Sequence, residues 1–181
     1  DRVVRPDPAA LPAPAPEPAA APVREPDERA VRLAERRAAR AAALREQVLA
    51  LLGSAPLLHS QDRDDEASSA LTEALTLLDL EHQRTGPANV WERSHRARAL
   101  LLRSGLERDR GGFDLALGDT KAALELAAAL SSSDRDDMQS LLLRARAQSE
   151  LGRIMCDAGR ADEAAPVVGE TLPALERIVR Q

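Results

Sequence analysis

Apolar residues recur at helical spacing along most of the chain, and this pattern predicts an all-α protein. From residue 27 onward they return every three or four positions, which is the period of one helix face and differs from the alternation of a half-buried strand. Glycine, proline and serine interrupt the pattern at several places. These interruptions divide the chain into six predicted helices, which cover about 27–53, 62–84, 88–110, 113–130, 134–158 and 161–180.

Local signals predict where these helices begin and end. We expect Gly53 and Pro56 to end or kink the first helix, because proline cannot donate the backbone hydrogen bond that a helix interior needs. Ser133, with an acid three residues later, resembles a capping box and is expected to start the fifth helix. Gly159 is expected to end that helix, and Pro173 is expected to kink or break the sixth.

The same spacing predicts which residues of the first two helices face the core. In the first helix an apolar stripe, interrupted by Arg45, runs opposite a charged, solvated face, which is typical of a helix packed against a core on one side. The two stripes consist of Val31, Ala34, Ala38, Ala41, Val48 and Leu52, and of Ala67, Ala70, Leu71, Ala74, Leu77 and Leu78.

The tripeptide Asp-x-Ala occurs three times and indicates an internal repeat. It begins at Asp65, Asp114 and Asp162, so the spacings are 49 and 48 residues. A constant period of this length is typical of repeat architectures, in which each unit buries its apolar face against its neighbours. Small residues also recur at constant offsets before and after the tripeptide: Ala50, Ala99 and Ala147; Ala55, Ser104 and Gly152; and Ala74, Ala123 and Thr171.

The segment ELGRIMCDAGRADEA, with its small residues at Gly152 and Ala164, resembles the tetratricopeptide repeat. The resemblance covers about residues 44–181, although the period exceeds the usual 34 residues of that family. The longer unit resembles the extended repeats of bacterial signalling and regulatory proteins. The resemblance implies a tetratricopeptide-like α-solenoid of three antiparallel helical hairpins, with units at about 44–85, 88–130 and 134–180.

The resemblance also implies a concave groove, formed by the first helix of each hairpin, in which the family binds its ligands. Arg98 and Arg146 occupy the same place in two Arg-Ala-Arg-Ala tetrapeptides. Arginine binds carboxylates bidentately, so such a groove would suit an acidic peptide or a C-terminal carboxylate. An ordinary solvated helix face in an arginine-rich chain is the alternative. The groove residues implied are Arg98, Leu101, Arg108, Arg146, Ser149, Arg153 and Asp157, with Asp109 and Cys156 beside them and Leu49, Leu52 and His59 from the first unit.

The N-terminal residues 1–26 have a different composition from the rest of the chain. They contain 8 of the 12 prolines, mixed with alanine, and such stretches favour an extended polyproline II conformation. We interpret this segment as a semi-rigid linker that precedes a helical domain at 27–181. A ligand for a proline-recognising domain is the alternative.

Composition and motifs narrow the classes of function. The net charge of −5 argues against direct nucleic-acid binding, and the apolar runs are shorter than the roughly 20 residues of a membrane span. The three histidines have no metal-ligand spacing, and no glycine-rich phosphate loop is present. We therefore expect no catalytic residue, metal or cofactor, and no enzymatic activity. The single cysteine fits a reducing, cytoplasmic location.

These observations favour a non-enzymatic protein-protein interaction module that binds a peptide or protein segment, as a scaffold or adaptor does. The alternative is a regulatory or sensor region of a larger signalling or transcription-regulating protein. A third hypothesis is self-association, for example as a homodimer, because a short stack of repeats has exposed ends. In that case the apolar surface of the first helix would supply the contact.

Overall fold

The computed structural model describes residues 28–86, 89–133 and 138–179, in which α-helices joined by short turns are the secondary structure and no strand is present. This confirms the predicted all-α class and the number of six helices. Residues 1–26, with the predicted linker, lie outside the described part. The helices are α1 (Glu28–His59), α2 (Asp64–Thr85), α3 (Val90–Asp109), α4 (Phe113–Ser133), α5 (Met138–Asp157) and α6 (Ala161–Val179).

The beginning of α1, up to Arg36, belongs to one compact unit, and the chain from Arg37 onward belongs to a second. In the first unit every described side chain is exposed, and Arg32 pairs with Glu28 at 3.0 Å. The predicted inward stripe is therefore wrong for Val31 and Ala34. It is wrong for Ala38 as well, because buried residues in α1 begin only at Val48.

Each hairpin turns at a residue with positive φ, and these residues follow the period of the tripeptide. Asp62, Gly111 and Gly159 have φ values of 57°, 80° and 75°. After Gly159, the N–H of Arg160 donates to the carbonyl of Met155 at 2.7 Å, and the N–H of Gly159 donates to Cys156 at 3.0 Å. This is the bonding pattern of a Schellman cap, and it recurs at the other two turns. The predicted cap at Gly159 is confirmed.

Small residues allow the two helices of each hairpin to approach closely. Ser104 and Ala116 are fully buried, and the hydroxyl of Ser104 donates to the carbonyl of Ala116 at 3.0 Å. In the third hairpin, a Cβ placed on Gly152 would lie only 2.5 Å from Cγ2 of Val168. Recurring small positions such as Ser104 and Gly152 are therefore contact points between helices, whereas Ala50 is exposed.

The core runs through the second half of α1, α2, α3 and α4, and a smaller cluster joins α4, α5 and α6. Leu52, Leu71 and Leu78 are fully buried in the first cluster. Leu151 and Met155 are the largest buried residues of the second. Helices α3 and α5 also contact each other directly. This contact places the first helices of the second and third hairpins side by side.

Three predicted helix boundaries are wrong, while the kinks predicted as alternatives at residues 53–56 and 173 stay predictions. Helix α1 continues through Gly53 and Pro56 to His59, since a proline near a C-terminus removes only one hydrogen bond and the Schellman cap then closes the helix. Ser133 ends α4 and does not start α5, which begins at Met138; the predicted acidic partner at 136 lies outside the described residues. Pro173 lies inside α6 and does not break it.

Candidate functional site

A cleft of about 420 Å³ lies between α3 and α5. Its apolar surface is formed by leucines from both helices, of which Leu142 is the most exposed at 39%. Polar side chains surround the leucines. The cleft is lined by Arg98, Leu101 and Leu102 of α3, and by Leu142, Leu143, Ala145, Arg146, Ser149, Glu150 and Arg153 of α5. We call this surface the α3–α5 cleft.

Helix periodicity explains why these residues share one surface. Residues three, four and seven positions apart lie on the same face of a helix. On α5, Arg146, Ser149 and Arg153 have this spacing, and on α3 the pair Arg98 and Leu101 has it as well. Five of the seven groove residues predicted from the sequence therefore line one cleft.

Arg98 and Arg146 supply positive charge to the cleft, which Glu150 also lines. Both side chains are exposed, and neither has an ion-pair partner among the described residues. Arg153 lies 3.9 Å from Glu150 but is itself 68% exposed, so that contact holds the guanidinium only weakly. Because the three guanidinium groups are exposed and are held weakly or not at all by described residues, they are available to a ligand carboxylate.

The cleft extends toward the N-terminal ends of α3 and α5. This extension has a volume of about 370 Å³, and Arg98 and Arg146 line both parts. Ser94 and His95 line only the extension. The ring of His95 stacks on Trp91, with 4.3 Å between the ring centroids. The tryptophan therefore lies behind His95 and does not itself line the cleft.

Arg108 and Asp157 were predicted in the groove, but they do not line the cleft. Arg108 is only 11% exposed and pairs with Glu150 at 2.6 Å and with Asp109 at 2.8 Å. Burial opposes the charge on Arg108, yet Asp109, Glu150 and Asp157 together raise its pKa. Arg108 therefore cross-links α3 to α5 and holds the wall of the cleft in place.

A second, smaller pocket of about 170 Å³ adjoins the cleft and is lined by residues of α1 and α3 and by Leu71 of α2. It shares Leu101 and Leu102 with the cleft and is otherwise mostly apolar. His59 and Asp109 lie at its edge, with His59 Nε2 and Asp109 Oδ2 3.5 Å apart. His59 also contacts Asp64 at 2.7 Å.

Three other residues that were predicted in or beside the groove lie outside the cleft. Leu52 is fully buried in the core and cannot contact a ligand. Leu49 is exposed but does not line the cleft, and Cys156 is an exposed free thiol outside it. Sequence reasoning missed Leu102, Leu142 and Leu143 as lining residues. The signal was present, because three consecutive leucines at 141–143 point about 100° apart and cannot all be buried on one side.

Two further features of the described residues concern metal binding and the crossing of a membrane. In residues 28–86, 89–133 and 138–179, no group of three or more His, Cys, Asp or Glu side chains is placed to hold a metal ion. Helix α1 is long and apolar enough to cross a membrane by length and composition alone, with an 18-residue window of mean hydropathy 1.2. The core helix of a soluble protein meets the same criterion.

Comparison with known proteins gives no family assignment: no protein-family model, no curated protein and no solved structure matches this chain significantly.

Proposed function

We propose that this chain is a tetratricopeptide-like, non-enzymatic interaction module that binds an acidic, partly apolar peptide segment in the α3–α5 cleft. The observation that carries the proposal is the pairing of partly exposed leucines on the cleft floor with the guanidinium groups of Arg98 and Arg146, which form no ion pair with any described residue. An apolar floor favours a ligand with aliphatic or aromatic side chains. The arginines favour carboxylates on the same ligand.

The energetics favour a ligand that covers the arginines over one that merely touches them. An exposed ion pair contributes about 0–1 kcal/mol, because water and salt screen it. A hydrogen bond to a charged group contributes about 1.5–3 kcal/mol when the groups are removed from water. A peptide whose apolar side chains cover the leucine floor would exclude water from Arg98 and Arg146. The apolar and acidic parts of the ligand would then reinforce each other.

Arg108 and Glu150 support the proposal by keeping the cleft preformed. Their 2.6 Å ion pair joins α3 to α5 at the C-terminal end of the cleft. A ligand that binds a rigid surface does not have to order that surface, which lowers the entropic cost of association.

Binding of synthetic peptides to purified protein tests the proposal. The probes are short fluorescein-labelled peptides that combine leucine and glutamate, matched with versions in which lysine replaces glutamate or serine replaces leucine. We expect only the leucine–glutamate peptides to bind, with affinity that falls as salt rises. The single Trp91, stacked on His95 beside the cleft, gives an independent fluorescence signal.

Two variants and a control decide which residues carry the binding. Arg98→Gln and Arg146→Gln should each weaken binding about tenfold, which corresponds to about 1.4 kcal/mol. Arg144→Gln is the matched control, because Arg144 is exposed on the same helix and does not line the cleft. Equal loss in Arg144→Gln, or equal binding of the lysine peptides, would contradict the proposal.

A further inference from the structure

One face of α1 is exposed although the same face of α3 and α5 is buried. Leu57 is 63% exposed, whereas Leu106 and Ile154, at the same repeat position, are 5% and 1% exposed. The same difference is seen seven positions earlier. Ala50 is exposed, whereas Ala99 and Ala147, at the same repeat position, are fully buried. Seven positions earlier again, Ala43 is exposed and both counterparts are buried. We call Ala43, Ala50 and Leu57 the α1 outer face.

The counterpart faces are covered by the second helix of the preceding hairpin. Helix α2 packs on α3, and Arg96 of α3 pairs with Asp79 of α2 at 2.6 Å. Helix α4 packs on α5 in the same way, with Leu117 and Leu124 of α4 against the cluster of Leu151 in α5. The α1 outer face therefore has the register of a surface that accepts a helix of the α2 and α4 type. None of the described residues covers it.

Helix α6 is the third helix of this type in the chain. It starts with the same Asp-x-Ala tripeptide and repeats the small residue at Ala164. Among the described elements it packs on α5. Ala165, at the position of Leu117 in α4, is exposed, and the position of Leu124 is again a leucine, at 172.

We infer that α6 of one copy packs on the α1 outer face of the next copy, in continuation of the α2–α3 and α4–α5 interfaces. Such a contact joins two different surfaces of the same chain, and it leaves one free α1 face and one free α6 face at the ends of each complex. A head-to-tail contact of this kind adds further copies unless the rotation closes a ring. The inference does not depend on the α3–α5 cleft, which lies on other residues.

Sedimentation velocity over a wide range of protein concentration gives the first test. We expect the average mass to rise with concentration beyond that of a dimer. Ala50→Glu places a charge in the contact and should weaken association about tenfold or more. Leu49→Glu adds the same charge one residue away, about 100° around the helix, and should leave association unchanged. A monomer at all concentrations, a species that stops at a dimer, or equal effects of the two variants would overturn the inference.

Chemical cross-linking tests the register itself. Gln47 and Glu176 occupy the repeat positions of Arg96 and Asp79, the ion pair that joins α3 to α2. In a Cys156→Ser background, one protein would carry Gln47→Cys and another Glu176→Cys. We expect a short bis-maleimide to give a cross-linked dimer when the two proteins are mixed, and none when either is alone. Cross-linking of the Gln47→Cys protein to itself, or no cross-link in the mixture, would contradict the head-to-tail arrangement.

Discussion

Replacing Gly152 with alanine tests the close approach of α5 and α6, on which the third hairpin depends. The new Cβ would lie 2.5 Å from Cγ2 of Val168, whereas non-bonded carbon atoms favour about 3.5–4.0 Å. One of the two helices, or the valine, must therefore move by about 1 Å or more. Overpacking of this kind costs about 1–3 kcal/mol.

The helix propensity of alanine opposes this cost of overpacking. Alanine favours a helix interior over glycine by about 1 kcal/mol. We therefore expect Gly152→Ala to lower the free energy of unfolding by about 0–2 kcal/mol. Gly105→Ala is the matched control, since a Cβ at Gly105 of α3 meets no atom within 4 Å. In that variant the higher helix propensity of alanine acts without a clash, and it should stabilise the protein by about 1 kcal/mol.

Urea unfolding followed by circular dichroism measures these values, and a double-mutant cycle isolates the contact. In a Val168→Ala background the clash is removed, and Gly152→Ala should then stabilise the protein by about 1 kcal/mol. The coupling between the two sites should be about 1–3 kcal/mol. A coupling below about 0.5 kcal/mol, or equal effects of Gly152→Ala and Gly105→Ala, would show that the two helices do not approach this closely.

Three further predictions concern charge and turns. Arg108→Met should destabilise the protein by about 1–3 kcal/mol in urea unfolding, because Glu150, 16% exposed, would lose its 2.6 Å partner. The loss should shrink in a Glu150→Gln background, and an equal loss there would refute the pairing. The hydrogen bond from Arg160 lowers the pKa of Glu163, so its contribution to stability is present above the unfolded pKa of about 4.3 and is lost as pH falls through the lower folded pKa. Carboxyl NMR titration should show the midpoint of Glu163 rising in Arg160→Gln, and an unchanged midpoint would contradict the assignment. Gly159→Ala forces an L-residue into a φ of 75° and should cost about 1–2 kcal/mol in thermal unfolding, whereas a neutral result would argue against the Schellman cap.

The fold could be predicted largely from local requirements. Each turn needs a residue that tolerates positive φ, and each hairpin needs small residues where its helices meet, so both features recur with the period of the chain. Gly152 illustrates this, since its place among the recurring small residues predicts the close approach of α5 and α6 that the structure shows at Val168. The end of α1 could not be predicted, because Pro56 costs one hydrogen bond while the cap at Asp62 compensates from outside the helix.

The candidate site could be predicted only in part, because tertiary contacts decide which polar residues remain free. Arg98 and Arg146 lie on predictable helix faces and remain unpaired in the described structure. Arg108 has the same residue type and a similar register, yet it pairs with Glu150, 42 residues away in the sequence. Which of the leucines at 141–143 reaches the cleft depends on the rotation of α5 against α4, and helical spacing alone does not determine that rotation.

Methyl NMR of leucine-labelled protein shows directly whether a peptide binds in the α3–α5 cleft, because it locates a ligand without a change to the chain. A leucine–glutamate peptide is titrated into the protein, and a leucine–lysine peptide is the control. We expect shifts in the methyl signals of Leu101, Leu102, Leu142 and Leu143, which line the α3–α5 cleft, and none in exposed Leu57. Shifts confined to α1, or equal shifts with the lysine peptide, would contradict the proposed cleft.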